Sequence, residues 1–440
     1  MQDSYIINGG KPLKGEVVLS GAKNASIKLM IAALLCDGPV TLRRVPHNED
    51  NQNLIMLLRE LGCVVSLEGH TVTIDPRGIS ISEVGLLYGS KIRSSFLLFG
   101  PLLHRFGTCR IPNPGGCRIG ARPIDRITDA LQELGAVINY SSETGYYDAT
   151  LPKSPSGSCR FAKSTHTGTE AVILLAARSP ETVVIHNAAL EPEIDNLIDF
   201  INHAGADIKR DGANIICRGS KNLNCTEPFD VVEDRNEAVT FAAMAYATHG
   251  DITIVNLHST LIKSFIEKVI EAGGGVDVIN DHSVRFYWKQ RLHATNITTS
   301  AHPGYMTDWQ PQFGIMMATA EGTSTIHETM LESRLNWVPE LRKVGAHIDS
   351  FQPHVTDPET IYQFNYDPEQ TYEQGVHIIG VDQLHSGVLK MVDIRAGAAL
   401  AIAALSAEGE SILLGANHVE RGYEKLTEKI RKLGGDIQLV

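Results

Sequence analysis

The sequence predicts an α/β protein of two similar domains, each built from three copies of one repeated unit. A helix-like stretch that ends in glycine and continues into an apolar run recurs six times along the chain. Every repeat also contains an all-apolar helix and a β-rich run. The recurring glycines are Gly62, Gly135, Gly205, Gly273, Gly345 and Gly434, at intervals of 135−62 = 73, 205−135 = 70, 273−205 = 68, 345−273 = 72 and 434−345 = 89.

The last repeat is longer than the others, by 89−72 = 17 residues relative to its neighbour. A polar tract from Ser350 to Gln374 has the composition of a surface insertion, so we expect the extra residues there. Six repeats divide most naturally as three plus three, with a ligand cleft expected between the two domains. A continuous solenoid of six repeats is the alternative arrangement.

The helix before each repeated glycine is predicted to be amphipathic. Apolar residues recur at positions i, i+3, i+4 and i+7, the spacing that places them on one helix face. That face is expected to be buried against the rest of its domain. Two examples are Leu54, Leu57, Leu58 and Leu61 in the first repeat, and Ile194, Leu197, Ile198 and Ile201 in the third.

A second helix in each repeat is apolar or small on nearly all sides. Such a helix must be surrounded by protein, so it is predicted to form the centre of its domain. A turn and a β-rich run follow it, as in CDGPVTLRRV and THGDITIV. The six central segments are residues 27–35, 94–103, 170–177, 238–247, 313–320 and 396–405.

The composition limits the classes of partner. The 440 residues are 43% hydrophobic, enough for sizeable cores, and carry 51 acidic against 39 basic residues, a net charge of −12. No bulk basic field is present to hold a nucleic acid or an anionic membrane. The apolar runs are much shorter than the roughly 20 residues of a membrane span, and the first residues lack a signal-peptide core, so a cytoplasmic protein without membrane insertion is expected.

Charged residues mark the starts of the predicted helices. Cations at helix N-termini are disfavoured by roughly 0.3–1 kcal/mol each, so their repeated use there indicates an anionic ligand. The alternative is a set of surface arginines paired to carboxylates, and the residues alone leave both interpretations open. The charged or polar residues at these junctions include Lys23, Asn24, Arg93, Asp308, Asp393 and Arg395, with Arg122, Arg334 and Arg421 before amphipathic helices.

The segment GGCRIGARP, residues 115–123, combines three glycines with Cys117 and two arginines. The glycines permit close approach of the backbone to a ligand, and Arg118 and Arg122 lower the pKa of a neighbouring thiol. Cys117 is therefore a candidate acid, base or nucleophile, with a half-buried structural cysteine as the alternative.

The other six cysteines are expected to be unreactive, although Cys159 and Cys225 are predicted to lie in polar loops. Without a CxxC pair, the cysteines indicate neither a disulfide framework nor a structural zinc site. The absence of HExxH, of GxxxxGK[ST] and of a strand-coupled GxGxxG argues against a metal site, a P-loop and a Rossmann nucleotide site.

The motifs closely resemble those of the UDP-N-acetylglucosamine 1-carboxyvinyltransferase family of enolpyruvyl transferases. The resemblance extends over almost the whole chain, through GGKPLKGEVVLSGAKNAS, KIRSSFLLFGPLL, GGCRIGARPID, DRNEA, HPGYMTDWQPQF, DIRAGAAL and HVERGYEKL. The cysteine loop and GAKNA distinguish it from the sister family of 5-enolpyruvylshikimate-3-phosphate synthases.

The resemblance implies a two-domain inside-out α/β barrel with three repeated units in each domain. It implies that residues 22–233 form one domain and that residues 1–21 join 234–440 in the other. It also implies the reaction, in which phosphoenolpyruvate donates its enolpyruvyl group to the 3′-hydroxyl of UDP-N-acetylglucosamine, phosphate leaves, and no cofactor is needed. This reaction is the first committed step of peptidoglycan synthesis. The resemblance gives no oligomeric state.

The resemblance further implies roles for single residues. Cys117 matches a cysteine that assists proton transfer or product release and that fosfomycin alkylates, and Asp308 matches the carboxylate beside the attacking hydroxyl. Asn24 and Asp393 match positions that hold substrate or intermediate, and Arg334 is also expected to bind substrate. Cations for the donor are implied at Lys23, Arg93, Arg122, Arg395 and Arg421. Of these, Lys23 and Arg421 are implied to belong to the catalytic set with Cys117 and Asp308. The uridine-diphosphate side is implied at Arg122, Pro123, Ile124, Asp125, Thr167, Gly168 and Met330.

Three features depart from the usual family pattern. They are Arg126 in place of an apolar residue, the segment THTGTE at 165–170, and the insertion before Asp393. They leave the implied catalytic set intact but keep open an enolpyruvyl transferase for a different nucleotide-sugar acceptor. A non-catalytic nucleotide-sugar sensor and an interaction scaffold are alternatives from other classes.

Overall fold

The computed structural model describes residues 3–115 and 123–440, and the chain in it divides into two units. The first unit contains residues 21–115 and Pro123–Val232, and the second contains residues 3–20 and Glu233–Val440. Each unit has a separate hydrophobic core. None of the helices in the described part of the chain has the length and apolar character needed to cross a membrane.

The N-terminal residues contribute two strands to the second unit, β1 (Ser4–Gly9) and β2 (Lys14–Val18). The first unit follows. Its helices are α1 (Lys23–Ala32), α2 (Glu49–Glu60), α3 (Leu86–Gly89), α4 (Phe99–Phe106), α5 (Asp125–Glu133), α6 (His166–Ala176) and α7 (Pro192–His203), with 3₁₀ turns at Ala33–Leu35, Pro76–Gly78 and Arg93–Leu98. Its strands are β3 (Val40–Arg43), β4 (Val64–Glu68), β5 (Thr71–Asp75), β6 (Thr108–Pro112), β7 (Val137–Ser141), β8 (Tyr146–Thr150), β9 (Gly157–Arg160), β10 (Thr182–His186), β11 (Asp207–Asp211), β12 (Asn214–Arg218) and β13 (Phe229–Asp230).

The second unit continues to the C-terminus of the chain. Its helices are α8 (Arg235–Ala247), α9 (Lys263–Glu271), α10 (Gln310–Ala318), α11 (Val338–Arg342), α12 (Pro358–Ile361), α13 (Ile394–Ser406), α14 (Asn417–Glu420) and α15 (Leu426–Lys432), with 3₁₀ turns at Ser259–Ile262 and Thr307–Trp309. Its strands are β14 (Asp251–Val255), β15 (Gly275–Asn280), β16 (Ser283–Tyr287), β17 (Ile297–Thr298), β18 (Thr323–His327), β19 (His347–Phe351), β20 (Gly375–Ile379), β21 (Val388–Lys390), β22 (Gly409–Leu414) and β23 (Asp436–Leu439).

The strands form six sheets in the described residues, three in each unit. Five of the sheets have four strands and share one pattern. An edge strand pairs in parallel with its neighbour, and the other two strand pairs are antiparallel, as in β2-β14-β16-β15 and β17-β18-β20-β19. The sixth, β6-β8-β7, has a single parallel bridge between Glu83 and Arg110 where the others have the edge strand. The predicted mixed α/β class is confirmed, and none of these sheets closes on itself within the described ranges.

The recurring glycines all adopt left-handed backbone conformations, with φ between 86° at Gly273 and 115° at Gly205. Each glycine ends an amphipathic segment, and its amide donates to a carbonyl in the last helical turn, as Gly62 N does to Arg59 O at 3.0 Å. A side chain in this conformation costs roughly 1–2 kcal/mol, which explains why the repeat requires glycine there.

The predicted central helices are buried. In the second unit, α8, α10 and α13 pack pairwise against one another, and in the first unit α4 packs against α6. The predicted amphipathic faces are also confirmed, because the examples chosen on α2 and α7 are all buried. The cores therefore consist of the central helices with the apolar faces of the sheets and amphipathic helices around them.

The N-terminal strands do not follow a solenoid pattern. Strand β1 lies between β22 and β23, near the opposite end of the sequence, and β2 pairs with β14. A solenoid unit contacts only its sequence neighbours, so this pairing argues against that alternative. The extra residues lie between β19 and β20, at residues 352–374, as the polar tract predicted, but the strands place them in the fifth repeat and not in the last.

Candidate active site

Asp308 is half-buried and lies at the centre of a cluster of charges in the second unit. It belongs to the 3₁₀ turn Thr307–Trp309 that leads into α10. Its Oδ1 accepts a hydrogen bond from Arg334 Nη2 at 2.7 Å, and its Oδ2 accepts one from Arg395 Nε at 3.3 Å. Two cations from distant parts of the sequence therefore hold this carboxylate in a fixed orientation.

Asp393 joins the same cluster by capping α13. Its Oδ1 accepts hydrogen bonds from the Arg395 and Ala396 amides, each at 2.9 Å, and from Arg334 Nη1 at 3.3 Å. Its Oδ2 accepts one from Asn336 Nδ2 at 2.9 Å. A negative charge at a helix N-terminus is favourable, so Asp393 stabilises α13 while it orients Arg334.

Both arginines of this cluster are buried. Only 2% of the Arg334 side chain and 6% of the Arg395 side chain are exposed to solvent. Burial opposes the charge of Arg334, but Asp393 and Asp308 outweigh that effect and raise its pKa. Burial likewise opposes the charge of Arg395, but Tyr423, Asp308 and Asp234 raise its pKa. Both guanidinium groups are therefore fixed positive charges in a poorly solvated environment.

The Arg395 guanidinium has donor capacity that the described residues do not use. It lies 5.2 Å from the centre of the Tyr423 ring, which packs against it as a cation–π partner. Its Nη1 is buried and has no hydrogen-bond partner among the described residues, and the same holds for Arg334 Nε. A buried N–H of a charged group without a partner is costly, and an anionic ligand would satisfy it.

Met330 and Arg421 occupy the same unit. The Met330 amide donates to Glu328 Oε1 at 2.8 Å, and Glu328 Oε2 accepts from the Thr307 hydroxyl at 2.9 Å. Burial raises the pKa of Glu328 in spite of these hydrogen bonds. Arg421 directly follows α14 and is partly exposed. It lies two residues before Tyr423, whose hydroxyl group hydrogen-bonds the Thr240 hydroxyl at 2.7 Å.

In the first unit, Lys23 is the first residue of α1 and Asn24 the second. Lys23 Nζ lies 2.6 Å from Asp50 Oδ2, and both side chains are largely buried. Asp50 is in the first turn of α2, where the Asn48 side chain caps the helix by accepting from the Asn51 amide. The Asn48 cap of α2 therefore helps to fix the carboxylate that orients Lys23.

Arg93 lies beside Pro123, at one described end of the cysteine loop. Its Nη2 is 3.4 Å from the carbonyl oxygen of Pro123. At the other end, a β-carbon on Gly115 would stand only 1.7 Å from Ser90 O, so glycine is required for this approach. Cys117 and Arg122 lie outside the described residues. Ile124 is buried, and Asp125 is the first residue of α5 and is exposed.

Thr167 and Gly168 lie in the first turn of α6. Thr165 caps this helix, because its hydroxyl accepts from the Gly168 amide at 3.3 Å. Below them, Glu170 is fully buried and pairs with His166 Nε2 at 3.0 Å and with Lys28 Nζ at 3.3 Å. Burial opposes protonation of His166, but the Glu170 charge outweighs it and raises the His166 pKa.

The six described cysteines are all buried. Burial raises the pKa of Cys36, Cys63, Cys159 and Cys217 to about 12 and also raises those of Cys109 and Cys225. The expectation that Cys159 lies in a polar loop is wrong, since it is part of β9 with its side chain inward. The short strand contains only one inward-facing apolar residue, too few to show alternation in the sequence.

The structure brings together Asp308, Arg334, Asp393 and Arg395 in the second unit, and it places Lys23, Asn24, Arg93, Thr167 and Gly168 at the starts of helical segments in the first. The alternative reading of the arginines is correct in one respect, because Arg334 and Arg395 do pair with carboxylates. They are buried, however, and not on the surface. Sequence reasoning missed the orienting roles of Asp50, Asn336, Glu328 and Tyr423, because each depends on a contact with a distant segment.

Comparisons with known proteins agree over the whole length of the chain. A family model described as EPSP synthase (3-phosphoshikimate 1-carboxyvinyltransferase) matches residues 7–430. UDP-N-acetylglucosamine 1-carboxyvinyltransferases from Desulforapulum autotrophicum and Trichlorobacter lovleyi are each 37% identical to this chain, over 100% of it and at least 99% of the relative. The crystal structure of the enolpyruvyl transferase NikO from Streptomyces tendae superposes with a TM-score of 0.85 at 22% identity, covering 100% of this chain and 99% of the other.

Proposed function

Because the chain belongs to the EPSP synthase family of enolpyruvyl transferases, we propose that it transfers the enolpyruvyl group of phosphoenolpyruvate to the 3′-hydroxyl of UDP-N-acetylglucosamine. Phosphate is the second product. The acceptor and the transferred group are taken from the names of relatives that align over the full chain. The assignment makes the protein the first committed enzyme of peptidoglycan synthesis.

The observation that carries this proposal is the cluster in which the buried Arg334 and Arg395 both bond the half-buried Asp308. Phosphoenolpyruvate has a phosphate and a carboxylate, so its site needs fixed cations with unused donors. Arg395 Nη1 offers such a donor, and the planar guanidinium group suits either anion. We assign the remaining donor-binding cations to Lys23, Arg93, Arg122 and Arg421.

The chemical step adds the acceptor oxygen to C2 of phosphoenolpyruvate while C3 gains a proton. Asp308 is proposed to accept the proton of the attacking hydroxyl, and Cys117 to assist proton transfer or product release. Loss of phosphate from C2 and of a proton from C3 then restores the double bond. Stabilisation of the tetrahedral intermediate is mainly electrostatic, a task for which buried, preoriented arginines are suited.

The acceptor side completes the proposed assignments. Asn24 and Asp393 hold substrate or intermediate, and Arg334 orients the two carboxylates that it contacts. The uridine diphosphate is assigned to Arg122, Pro123, Ile124, Asp125, Thr167, Gly168 and Met330.

We also propose that each unit is an inside-out α/β barrel, with central helices inside and its three open sheets outside. The proposed domains are residues 22–233, and residues 1–21 together with 234–440. The cytoplasmic location stays a prediction.

A second candidate function is enolpyruvyl transfer to a different nucleotide-sugar acceptor. The charged residues close to Thr167 and Gly168 favour it. The His166–Glu170–Lys28 cluster places a buried carboxylate in the helix assigned to the diphosphate. An enolpyruvyl transferase for a related nucleotide sugar would share the donor site, so a panel of such acceptors distinguishes the two candidates.

The test measures phosphate release with phosphoenolpyruvate and UDP-N-acetylglucosamine. Release should require both substrates, and Asp308→Asn should lower kcat by about 10²-fold or more, the scale of general acid–base catalysis. Asp382→Asn is the matched control, because this carboxylate also pairs with an arginine but is 96% exposed. Folded wild-type protein that releases no acceptor-dependent phosphate would refute the proposal.

A further inference from the structure

Residues 352–374 replace a tight turn with a folded segment. The equivalent hairpins β4–β5, β11–β12 and β15–β16 close with residues 69–70, 212–213 and 281–282. Between β19 and β20, by contrast, 374−351 = 23 residues connect the paired residues Phe351 and Gly375. Loops of this length in a compact domain are commonly functional.

This insertion has a small core that orders it. Tyr362, Phe364 and Tyr372 are buried together, and the rings of Tyr362 and Phe364 stack at 4.9 Å. Asp357 caps the short helix α12 by accepting a hydrogen bond from the Thr360 amide at 3.2 Å. The segment can therefore transmit a fixed geometry to the backbone against which it packs.

The insertion contacts residues 328–331 through its backbone and through Gln374. The Gln363 amide donates to Thr329 O at 2.8 Å, and the Gln374 carbonyl accepts from the Glu328 amide at 2.8 Å. The buried Gln374 side chain donates from Nε2 to Glu328 O at 3.0 Å and to Leu331 O at 2.9 Å. One amide nitrogen thus bridges the carbonyls on either side of Met330.

Residues 328–331 are also connected to the 3₁₀ turn Thr307–Trp309, which carries Asp308. The Glu328 carboxylate accepts from the Met330 and Leu331 amides and also from the Thr307 hydroxyl, adjacent to Asp308. Thr329 is fixed on the other side, where its amide donates to Thr299 Oγ1 at 2.8 Å. A continuous hydrogen-bonded network therefore runs from the insertion through Met330 to the turn that carries Asp308.

We propose that the insertion at 352–374 is a positioning element for the nucleotide-sugar acceptor, and that Gln374 is its principal positioning residue. The inference rests on the proposed function, which assigns Met330 to the uridine-diphosphate side of the site. Gln374 fixes the backbone around Met330 without contributing to the chemical step. Its loss should consequently weaken acceptor binding and leave donor binding and turnover nearly unchanged.

Steady-state kinetics of Gln374→Ala test this inference. We expect the KM for UDP-N-acetylglucosamine to rise about tenfold, the scale of losing two buried hydrogen bonds, with kcat within about twofold and the KM for phosphoenolpyruvate unchanged. Gln374→Glu keeps the side-chain size but removes both donors, and it should act in the same direction. Gln370→Ala is the matched control, because this exposed glutamine of the same segment bonds Asp367 and should leave every constant unchanged.

Unchanged constants in both Gln374 variants would overturn the inference. So would a parallel loss of kcat and of affinity for both substrates with a lower Tm, which would indicate a purely structural role. If the wild type gives no turnover, the proposed function fails, and calorimetric binding of UDP-N-acetylglucosamine then provides the test. Weaker binding by both Gln374 variants but not by Gln370→Ala would support the inference, whereas equal binding by all variants, or none by the wild type, would overturn it.

Discussion

At the residue scale, the second unit stabilises four charged side chains in an environment with little water. Removing a charge from water costs several kcal/mol, and only close pairing offsets that cost. Arg334 is shared between Asp308 and Asp393, while Arg395 bonds Asp308 and stacks on Tyr423. The arrangement keeps guanidinium and carboxylate groups preoriented, so an arriving anion meets donors that need little reorganisation.

A prediction at this scale concerns Cys117. The six described thiols are buried, and burial raises their pKa values, so they should resist alkylation at neutral pH. Fosfomycin should therefore add one adduct per chain, at Cys117. Intact-mass spectrometry should show that Cys117→Ser abolishes the adduct, whereas the control Cys225→Ser retains it. An adduct on Cys117→Ser protein would show that another residue is the target.

At the element scale, the central helices of successive repeats differ in the functional residues at their N-terminal ends. The first turn of the central helix contains Lys23 in α1 and Thr167 with Gly168 in α6, and Asp393 directly precedes α13. The helix interior is also adapted, since α6 carries the Glu170 carboxylate that pairs with Lys28 from α1. One repeated scaffold therefore presents different chemistry at equivalent helix ends.

The His166–Glu170 pair predicts a pH dependence of stability. The folded-state pKa of His166 is raised above its unfolded value of about 6.5, so the folded protein binds more protons. The resulting stabilisation is complete below that unfolded pKa and is lost as the pH rises through the folded pKa. Urea unfolding should show that wild type exceeds His166→Gln in stability by roughly 1 kcal/mol at acid pH, and by less as the pH rises.

The control for this experiment is His186→Gln, whose ring contacts the Asn214 amide oxygen at 3.0 Å. Its stability difference from wild type should change little over the same pH range. A His166→Gln difference that is constant with pH would contradict the assigned ion pair.

At the scale of the whole molecule, the chain enters the second unit, leaves it to form the first, and then returns. Asp234 N donates to Ser20 O at 3.1 Å, and Ala22 N donates to Val232 O. The two crossing points are therefore closed by hydrogen bonds within each unit. The first unit is an insertion into the second, with its strands paired internally.

This connectivity predicts how fragments behave. Residues 21–232 should fold alone, with a cooperative thermal transition in circular dichroism. Residues 233–440 should not, because they lack β1 from the middle of its sheet and β2 from the edge of another. Joining residues 3–20 to 233–440 through a short glycine linker should restore the transition. A cooperative transition in residues 233–440 alone would show that the N-terminal strands are dispensable.

The repeats, the central and amphipathic helices, and the candidate residues at helix starts can all be predicted from the amino-acid sequence. These features are periodic or local, and burial of an apolar face or a left-handed glycine leaves a recognisable spacing. Which charges meet depends on the folded arrangement of the chain. Asp308 and Arg334 lie 26 residues apart and Asp308 and Arg395 lie 87 apart, so their contacts depend on how strands and loops return to one point. The role of Gln374 was invisible for the same reason, because a hydrogen bond to a distant backbone imposes no local pattern.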